Sequence, residues 1–369
     1  MKILHINSYF NGSKFYKNLY DKQVQNGLDI SVYVPVPSTN NLNAGDLGEY
    51  TIVSANHNKF DRFLFQIKHY KILKDIVKKI EVDRFSILHA HSLFSNGSIA
   101  LKLKQKYNVP YIVAVRNTDV NFFFKKMPHL RNLGIKILKE ADGIVLLSES
   151  YKNLLKEKYI PNNLKDEIDK KISIVPNGIN NFWFQNIETK ESIPFKDDLK
   201  LLHVGVIDKN KNITTTIKAI EILHNKGYNV TFTLVGRIKN ENVYRKIKDL
   251  PYINYFPPKP QEELMQIYRE NDIFVMPSIT ETFGLVYAEA MSQGLPVIYS
   301  QGQGFDRQFE NGTVGASVPS DSETDIANQI QNILVNYHKI SVNCTMKVDK
   351  FHWGNIVEQY SQLYSKLIN

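Results

Sequence analysis

Two glutamates eight positions apart, Glu281 and Glu289, flank the start of a helix pattern, and residue types in that order can hold a specific kind of ligand. Pro277-Ser-Ile-Thr280 closes a strand pattern. Thr282 is a helix-capping residue type, and the run that follows stops at Gly294 and Pro296. The spacing predicts a helix over 283–293 capped by Thr282. The first amides of a helix have no intrahelical acceptor and lie at the positive end of its dipole. Backbone N–H groups near Phe283, Gly284 and Leu285 are therefore expected to form an anion site suited to a diphosphate. Gly284 leaves room for close approach of a ligand to the backbone. Glu281 precedes this site, and Glu289 lies roughly 10 Å further along the axis at about 1.5 Å per residue. A carboxylate accepts paired hydrogen bonds from neighbouring hydroxyls. One carboxylate on each side of a phosphate site suits a ligand ordered as sugar, diphosphate and ribose, which is the order of a nucleotide-sugar. Taken alone, the same residues also describe a capped amphipathic helix with two surface acids.

The elements that must position these residues fall into two series. Strand patterns at 2–6, 30–36, 87–89, 111–115, 143–147 and 172–175 are followed by a second set at 200–204, 230–235, 253–256, 273–276 and 296–299. Helical periodicity lies between most of them. Such alternation predicts parallel sheets with helices on both faces, and two series predict two doubly wound α/β domains. Ligands of such folds bind outside the carboxyl ends of the strands, so two domains facing each other would make a cleft. The seam is expected between Asn177-Gly178, a turn signal after Pro176, and Lys200.

A length of 369 residues favours two domains over one. The first apolar run breaks at His5 and Asn7, too early for the core of a signal peptide. No apolar stretch approaches the roughly 20 residues of a spanning helix. One cysteine, Cys344, cannot make an internal disulfide, in keeping with a cytoplasmic protein. The net charge of +9 is uneven: residues 1–190 carry 28 Lys and Arg against 17 Asp and Glu. That field could meet anionic lipid or an anionic acceptor, or be a merely solvated surface. Nucleic acid has only the charge in its favour and no recognised motif.

The segment Glu281-Thr-Phe-Gly-Leu-Val-Tyr-Ala-Glu289 resembles the Glu-x7-Glu motif of retaining glycosyltransferases of the two-Rossmann-domain (GT-B) type, in particular family 4. Asn177-Gly-Ile179 is similar to that family's interdomain turn. Leu202-His-Val-Gly-Val-Ile-Asp-Lys-Asn-Lys-Asn212 is similar to its phosphate loop, and Phe351-His-Trp-Gly-Asn-Ile356 to its C-terminal segment. The resemblance covers nearly the whole chain and is strongest over 170–315. It implies GT-B architecture, with an acceptor-binding Rossmann-like domain over 1–180 and a nucleotide-sugar-binding one over 195–350. A C-terminal helix over 351–369 would cross back to the first domain. It implies that Glu281 holds donor-sugar hydroxyls, that the backbone of Phe283, Gly284, Leu285 and Val286 holds the diphosphate, and that Glu289 holds the ribose diol. No cofactor is implied, since the nucleotide-sugar is a co-substrate, with uridine donors favoured.

Two departures stand out. The family's Arg after the phosphate-loop glycine is Val206 here, while Lys211 matches its Lys, and Lys209 is a candidate for the missing charge. The family's His-Gly-x-Asp loop reads Arg116-Asn-Thr-Asp119. Arg116 cannot act as a base but can clamp an anion or a sugar carbonyl, or pair with Asp119. The expected catalytic set is thus Glu281, Lys211, Arg116 and Asp119. Gly12, in the first strand–helix loop, is expected near the donor phosphates, and Gln303-Gly-Phe-Asp306 lies either on the donor side or in a simple turn. No Asp-x-Asp pair is present to hold a metal diphosphate. His89 and His91 are read as opposite faces of a strand end and poor joint ligands, so no metal is expected.

The resemblance implies retention of anomeric configuration, and front-face attack with the donor phosphate taking the acceptor proton fits the lack of an enzymic nucleophile. Phe122-Phe-Phe-Lys-Lys-Met127 and the basic stretch 65–80 fit a surface touching a membrane, or a helix packing its apolar stripe inward. The first suits a lipid-linked saccharide acceptor, as in capsule, O-antigen or exopolysaccharide assembly, and a place on the inner face of the cell membrane. Alternatives are a nucleotide-sugar epimerase of the same fold, or a catalytically weak nucleotide-sugar-binding partner subunit.

Overall fold

The structure, a computed structural model, describes residues 1–10, 14–38, 47–190 and 197–368. Gly12 lies outside the described residues, as does Pro194 in the expected seam. The chain divides into two compact units. One comprises Met1–Leu147, Tyr151–Pro176 and the segment from Trp353; the other comprises Ser148–Ser150 and Asn177–His352.

The first unit holds a parallel sheet of seven strands: β1 (Lys2–Ile6), β2 (Asp29–Pro37), β3 (Thr51–His57), β4 (Ile87–Ala90), β5 (Tyr111–Ala114), β6 (Gly143–Leu146) and β7 (Ile172–Ile174). Their spatial order is β3-β2-β1-β4-β5-β6-β7, so the order reverses between β1 and β4. The central strands are buried on both faces, as crossover helices require. The helix Trp353–Ile368 packs on the sheet of this unit beside the helix Lys14–Gln25, where Phe15 meets Trp353 at 5.2 Å between ring centroids.

The second unit repeats the plan with β8 (Leu199–Val204), β9 (Val230–Val235), β10 (Ile253–Phe256), β11 (Ile273–Met276), β12 (Val297–Ser300) and β13 (Gly315–Val318), in the order β10-β9-β8-β11-β12-β13. All pairs are parallel. The order reverses between β8 and β11, the crevice where doubly wound sheets take ligands. The loops after these two strands, 205–212 and 277–284, carry the candidate site.

Two strands escape the sequence pattern, β3 and β13. Both are sheet edges. An edge strand has one free side and tolerates polar and small residues, so Thr51-Ile-Val-Ser-Ala-Asn-His57 and Gly315-Ala-Ser-Val318 lack the continuous apolar signal of the central strands.

Candidate active site

β11 delivers the chain to Pro277, and the loop from there to Gly284 is tied down at nearly every residue. Asn210 is the tie on one side: its backbone oxygen accepts from the amide of Ile279 at 2.8 Å, its side-chain oxygen accepts from Thr280 at 3.1 Å, and its side-chain amide donates to the Thr280 carbonyl at 2.9 Å. Gln303 is the tie on the other, its side-chain oxygen accepting from the Glu281 amide at 2.9 Å. Gln303 therefore lies on the Glu281 loop, which the sequence leaves open.

The Glu281 carboxylate is fully engaged. One oxygen accepts from the Thr282 amide at 3.0 Å. The other takes the Lys211 ammonium and the Ser278 hydroxyl, the latter at 3.4 Å. Lys211 is itself set by its amide, which donates to Asp208 at 3.1 Å. The phosphate-loop lysine and the first glutamate, 70 residues apart in sequence, thus form one ion pair with both side chains mostly shielded from solvent.

The helix that follows runs from Leu285 to Ser292, not from Phe283 as the pattern predicts, and its cap is Gly284 rather than Thr282. Gly284 has φ +75°, ψ +70°, a conformation that cannot continue a right-handed helix backwards. A Cβ there would collide with the Tyr287 ring. The open amides remain after this shift. Among the described residues, the amides of Phe283, Gly284, Leu285 and Val286 donate to no protein acceptor, while Tyr287 is the first to bond back, to Gly284 at 3.0 Å. The Phe283 side chain is buried against Phe305 and Phe351, so only its backbone is offered. At the far end, Gly294 takes φ +72° as expected.

Glu289 is half-buried one turn into this helix. The hydroxyl of Tyr268, a fully buried side chain edge-on to Trp183, donates to it at 3.3 Å. Desolvation pushes its carboxyl up to about 7, against the hydrogen bonds it receives. Glu289 has little within the protein to repay its charge, in contrast to Glu281 with its lysine.

The chain as a whole is similar to known proteins in sequence and in fold. The model of glycosyl transferases group 1 matches residues 185–346, and that of glycosyltransferase family 4 matches residues 12–181. This chain belongs to the family 4 glycosyltransferases. It is 30% identical over 53% of its length to the capsular polysaccharide biosynthesis glycosyltransferase CapM of Staphylococcus aureus, covering 52% of that protein. It is 24% identical to alpha-monoglucosyldiacylglycerol synthase of Acholeplasma laidlawii, over 78% of this chain and 76% of that one. Among solved structures it resembles sucrose-phosphate synthase from Thermosynechococcus elongatus, with a TM-score of 0.75, 19% identity, and coverage of 100% of this chain and 99% of that one. It also resembles the Anabaena protein HepE in complex with UDP and glucose, with a TM-score of 0.69, 14% identity, and coverage of 99% and 100%. The two parallel-sheet units and these neighbours give the GT-B fold.

The other residues expected at the glycosyltransferase's site stand elsewhere in its two units. Lys209 is exposed and, with Thr214, Arg245 and Lys246, lines an open groove of about 660 Å³. Val206 lies just beyond β8, where the backbone continues as a bridge between Ile207 and Ile238. In the first unit, Asp119 is completely buried. Its two oxygens accept from the amides of Leu93 at 2.9 Å, Phe94 at 3.2 Å and Arg116 at 2.8 Å. Burial raises its carboxyl to about 6 against these amides. A carboxylate sealed from solvent and spent on three amides holds two loops together. The Arg116 guanidinium is directed elsewhere: its Nε donates to the carbonyl of His91 at 3.2 Å.

The histidine reading also needs correction. Residues two apart on a strand share a face, and β1 pairs with β4 so that His5 stands beside His89. His5, His89 and His91 form one fully buried group with ring nitrogens within 4.8 Å of one another. The group lies near Tyr20 and Tyr364. His5 Nδ1 and His91 Nε2 share a hydrogen bond of 3.0 Å, and His89 Nδ1 bonds the Tyr364 hydroxyl at 2.7 Å. Burial lowers the pKa of all three, with the positive charge of Arg116 adding to the effect at His89 and His91. The same burial and the same cation oppose a metal ion there, although three neutral imidazoles are chemically able ligands.

Proposed function

We propose that this protein is a retaining hexosyltransferase that moves a sugar from a nucleotide-sugar, with UDP-sugars favoured, to a lipid-linked saccharide in the assembly of a surface polysaccharide. The observation that carries the reading is the order of groups on the segment 281–289. On this reading Glu281 takes the hydroxyls of the sugar, the four open amides take the diphosphate, and Glu289 takes the ribose diol. HepE, a neighbour of the same fold, holds UDP and glucose. The similarity to a capsular glycosyltransferase and to a glycosyldiacylglycerol synthase supports an acceptor of saccharide or lipid character.

In the proposed reaction the bond between the anomeric carbon and the leaving phosphate oxygen breaks. The acceptor oxygen bonds to the same face of that carbon, and its proton passes to the departing phosphate. The open amides and Lys211 neutralise the charge that develops on the diphosphate, a preorganised electrostatic effect that requires no metal ion. Arg116 is a candidate clamp for the acceptor.

Incubating the purified protein with a panel of labelled nucleotide-sugars tests the reading. Donor hydrolysis or transfer that persists in a chelator, with the product anomer matching the donor by NMR, is the expected result. An inverted product overturns retention. Binding without turnover across lipid-linked acceptors favours the partner-subunit reading, and release of an epimerised sugar nucleotide favours the epimerase.

A further inference from the structure

The helix Phe65–Lys79, with the short turn Lys59–Phe63 before it, carries apolar residues on two sides, and only one of them is used by the core. His69, Ile72 and Ile76 are buried against the sheet of the first unit. On the other side Phe60 is 80% exposed, Leu64 54%, Ile67 46% and Tyr70 62%. Leu64, Ile67 and Tyr70 recur at three-residue spacing, which puts them on one flank of the helix. Phe122, 47% exposed, stands on a neighbouring segment whose Phe123 ring lies 5.5 Å from it and 6.3 Å from Phe65, on the inward side of the helix. The helix therefore does pack a stripe inward, and it also presents a second apolar stripe that stands exposed among the described residues of the first unit.

Charge says what covers it. Residues 59–79 carry seven Lys and Arg against two acids, Asp61 and Asp75. Both acids are already paired, with Lys71 at 2.6 Å and Lys79 at 3.3 Å. Lys59, Lys74 and Lys78 are exposed on the same segment, and Lys125 and Lys126 stand exposed beside Phe122, with Lys126 5.9 Å from the centre of its ring. Exposed aromatic and aliphatic side chains accompanied by exposed lysines are the composition of a surface that sinks a few ångströms into lipid headgroups while its cations meet anionic phosphates.

We infer that the segment 59–79 is the face that docks on an anionic phospholipid bilayer. The inference deepens the proposed function by naming the partner surface that would bring a soluble donor site to a lipid-linked acceptor. It rests on that reading for its purpose, although the docking itself can be measured without any turnover.

The experiment is flotation of the full chain with vesicles of phosphatidylcholine alone and of phosphatidylcholine with about one-third phosphatidylglycerol. It compares the unaltered protein with two variants. One replaces Phe60, Leu64, Ile67 and Tyr70 with Ser. The control replaces Val335 and Met346, 82% and 73% exposed on the second unit, with Ser. The expected result is flotation on the anionic vesicles only, reduced by high salt, lost at least about five-fold in the first variant and unchanged in the control. Equal thermal unfolding temperatures show that the exposed substitutions leave the fold intact. Absence of flotation in the unaltered protein, equal flotation on both vesicles, or flotation insensitive to the four substitutions overturns the inference. Concentration-dependent self-association abolished by the same four substitutions, without flotation, assigns the face to a second copy and also overturns it. Donor hydrolysis assayed in parallel without vesicles separates the two readings, because a protein that hydrolyses donor without floating loses only the docking face.

Discussion

The Lys211 ammonium is held on the Glu281 carboxylate by a direct ion pair, so the cation expected at the leaving diphosphate and the acid expected at the donor sugar constrain each other before any ligand arrives. The Ser278 hydroxyl and the Thr282 amide complete the shell around the acid. A donor entering this site would have to divide the lysine between its phosphate and Glu281.

This pairing makes the two residues energetically coupled. Lys211→Ala is expected to lower kcat/KM for transfer by about 100-fold or more, because it removes charge stabilisation from the leaving group. Glu281→Gln is expected to cause a loss of similar size through lost donor positioning. The double variant should lose much less than the product of the two, as expected for side chains in contact. Steady-state kinetics on the three variants measures this, and additive losses would show that the ion pair has no part in the bound state.

Glu289 ties donor binding to pH. With its carboxyl pushed up to about 7, it loses its charge as pH falls through that value, and one oxygen then carries a proton and donates instead of accepting, which weakens the proposed hold on the ribose diol. KM for the donor should rise several-fold between about pH 8 and about pH 6, with the change absent in Glu289→Gln. Stability moves the other way. A carboxyl whose folded pKa is raised stabilises the fold below its unfolded value, and that contribution is lost as pH rises through the folded value. Glu289→Gln should therefore melt higher than the unaltered protein at about pH 8. A lower melting temperature there would show that the charge is compensated in the free protein.

Asp119 has a structural role that a substitution can separate from chemistry. Asp119→Asn puts an amide group where three backbone N–H groups converge, and is expected to cost about 2 kcal/mol of stability. Denaturant unfolding measures it. Preserved stability with lost turnover would keep Asp119 in the catalytic set.

The buried histidines make the first unit acid-sensitive. His5 is lowered to about 3, and His89 and His91 well below their ordinary value. An unfolded chain takes up protons on these rings below about pH 6.5 while the folded one does not, so stability is present above that pH and falls as pH drops toward the folded values. The melting temperature should fall by about 5 °C or more from about pH 7 to about pH 5.5, and less steeply in His89→Gln. A flat profile over that range would show that the unfolded state gains nothing from protonating them.

Much of the fold is legible from local pattern. β9 and β11 stand at the residues where apolar runs place them, because a central parallel strand must be apolar on both faces and its ends show as turns. The edges β3 and β13 are not legible in that way, since pairing on one side relaxes the demand for apolar residues. In the candidate site, Glu281, Glu289 and the anion-binding backbone are readable because they share one short segment and a helix boundary. The exact boundary is not: the left-handed backbone of Gly284, where a Cβ would meet the Tyr287 ring, moves the helix start by two residues.

By itself, the sequence determined which residue types stand at which spacing: two carboxylates around a helix start, a lysine in a phosphate loop, two alternating series of strands and helices. These are local properties, set by periodicity and capping within a few residues. Only the tertiary structure decided which distant groups meet. Strand order puts β8 beside β11, and so Lys211 on Glu281. It puts β1 beside β4, and so His5 against His89 and His91. It seals Asp119 under two loops and leaves Phe60, Leu64, Ile67 and Tyr70 exposed within their unit. The physical reason is the same in each case: burial and pairing depend on which neighbour the packing supplies, and a neighbour 70 or 80 residues away leaves no periodic mark on the chain.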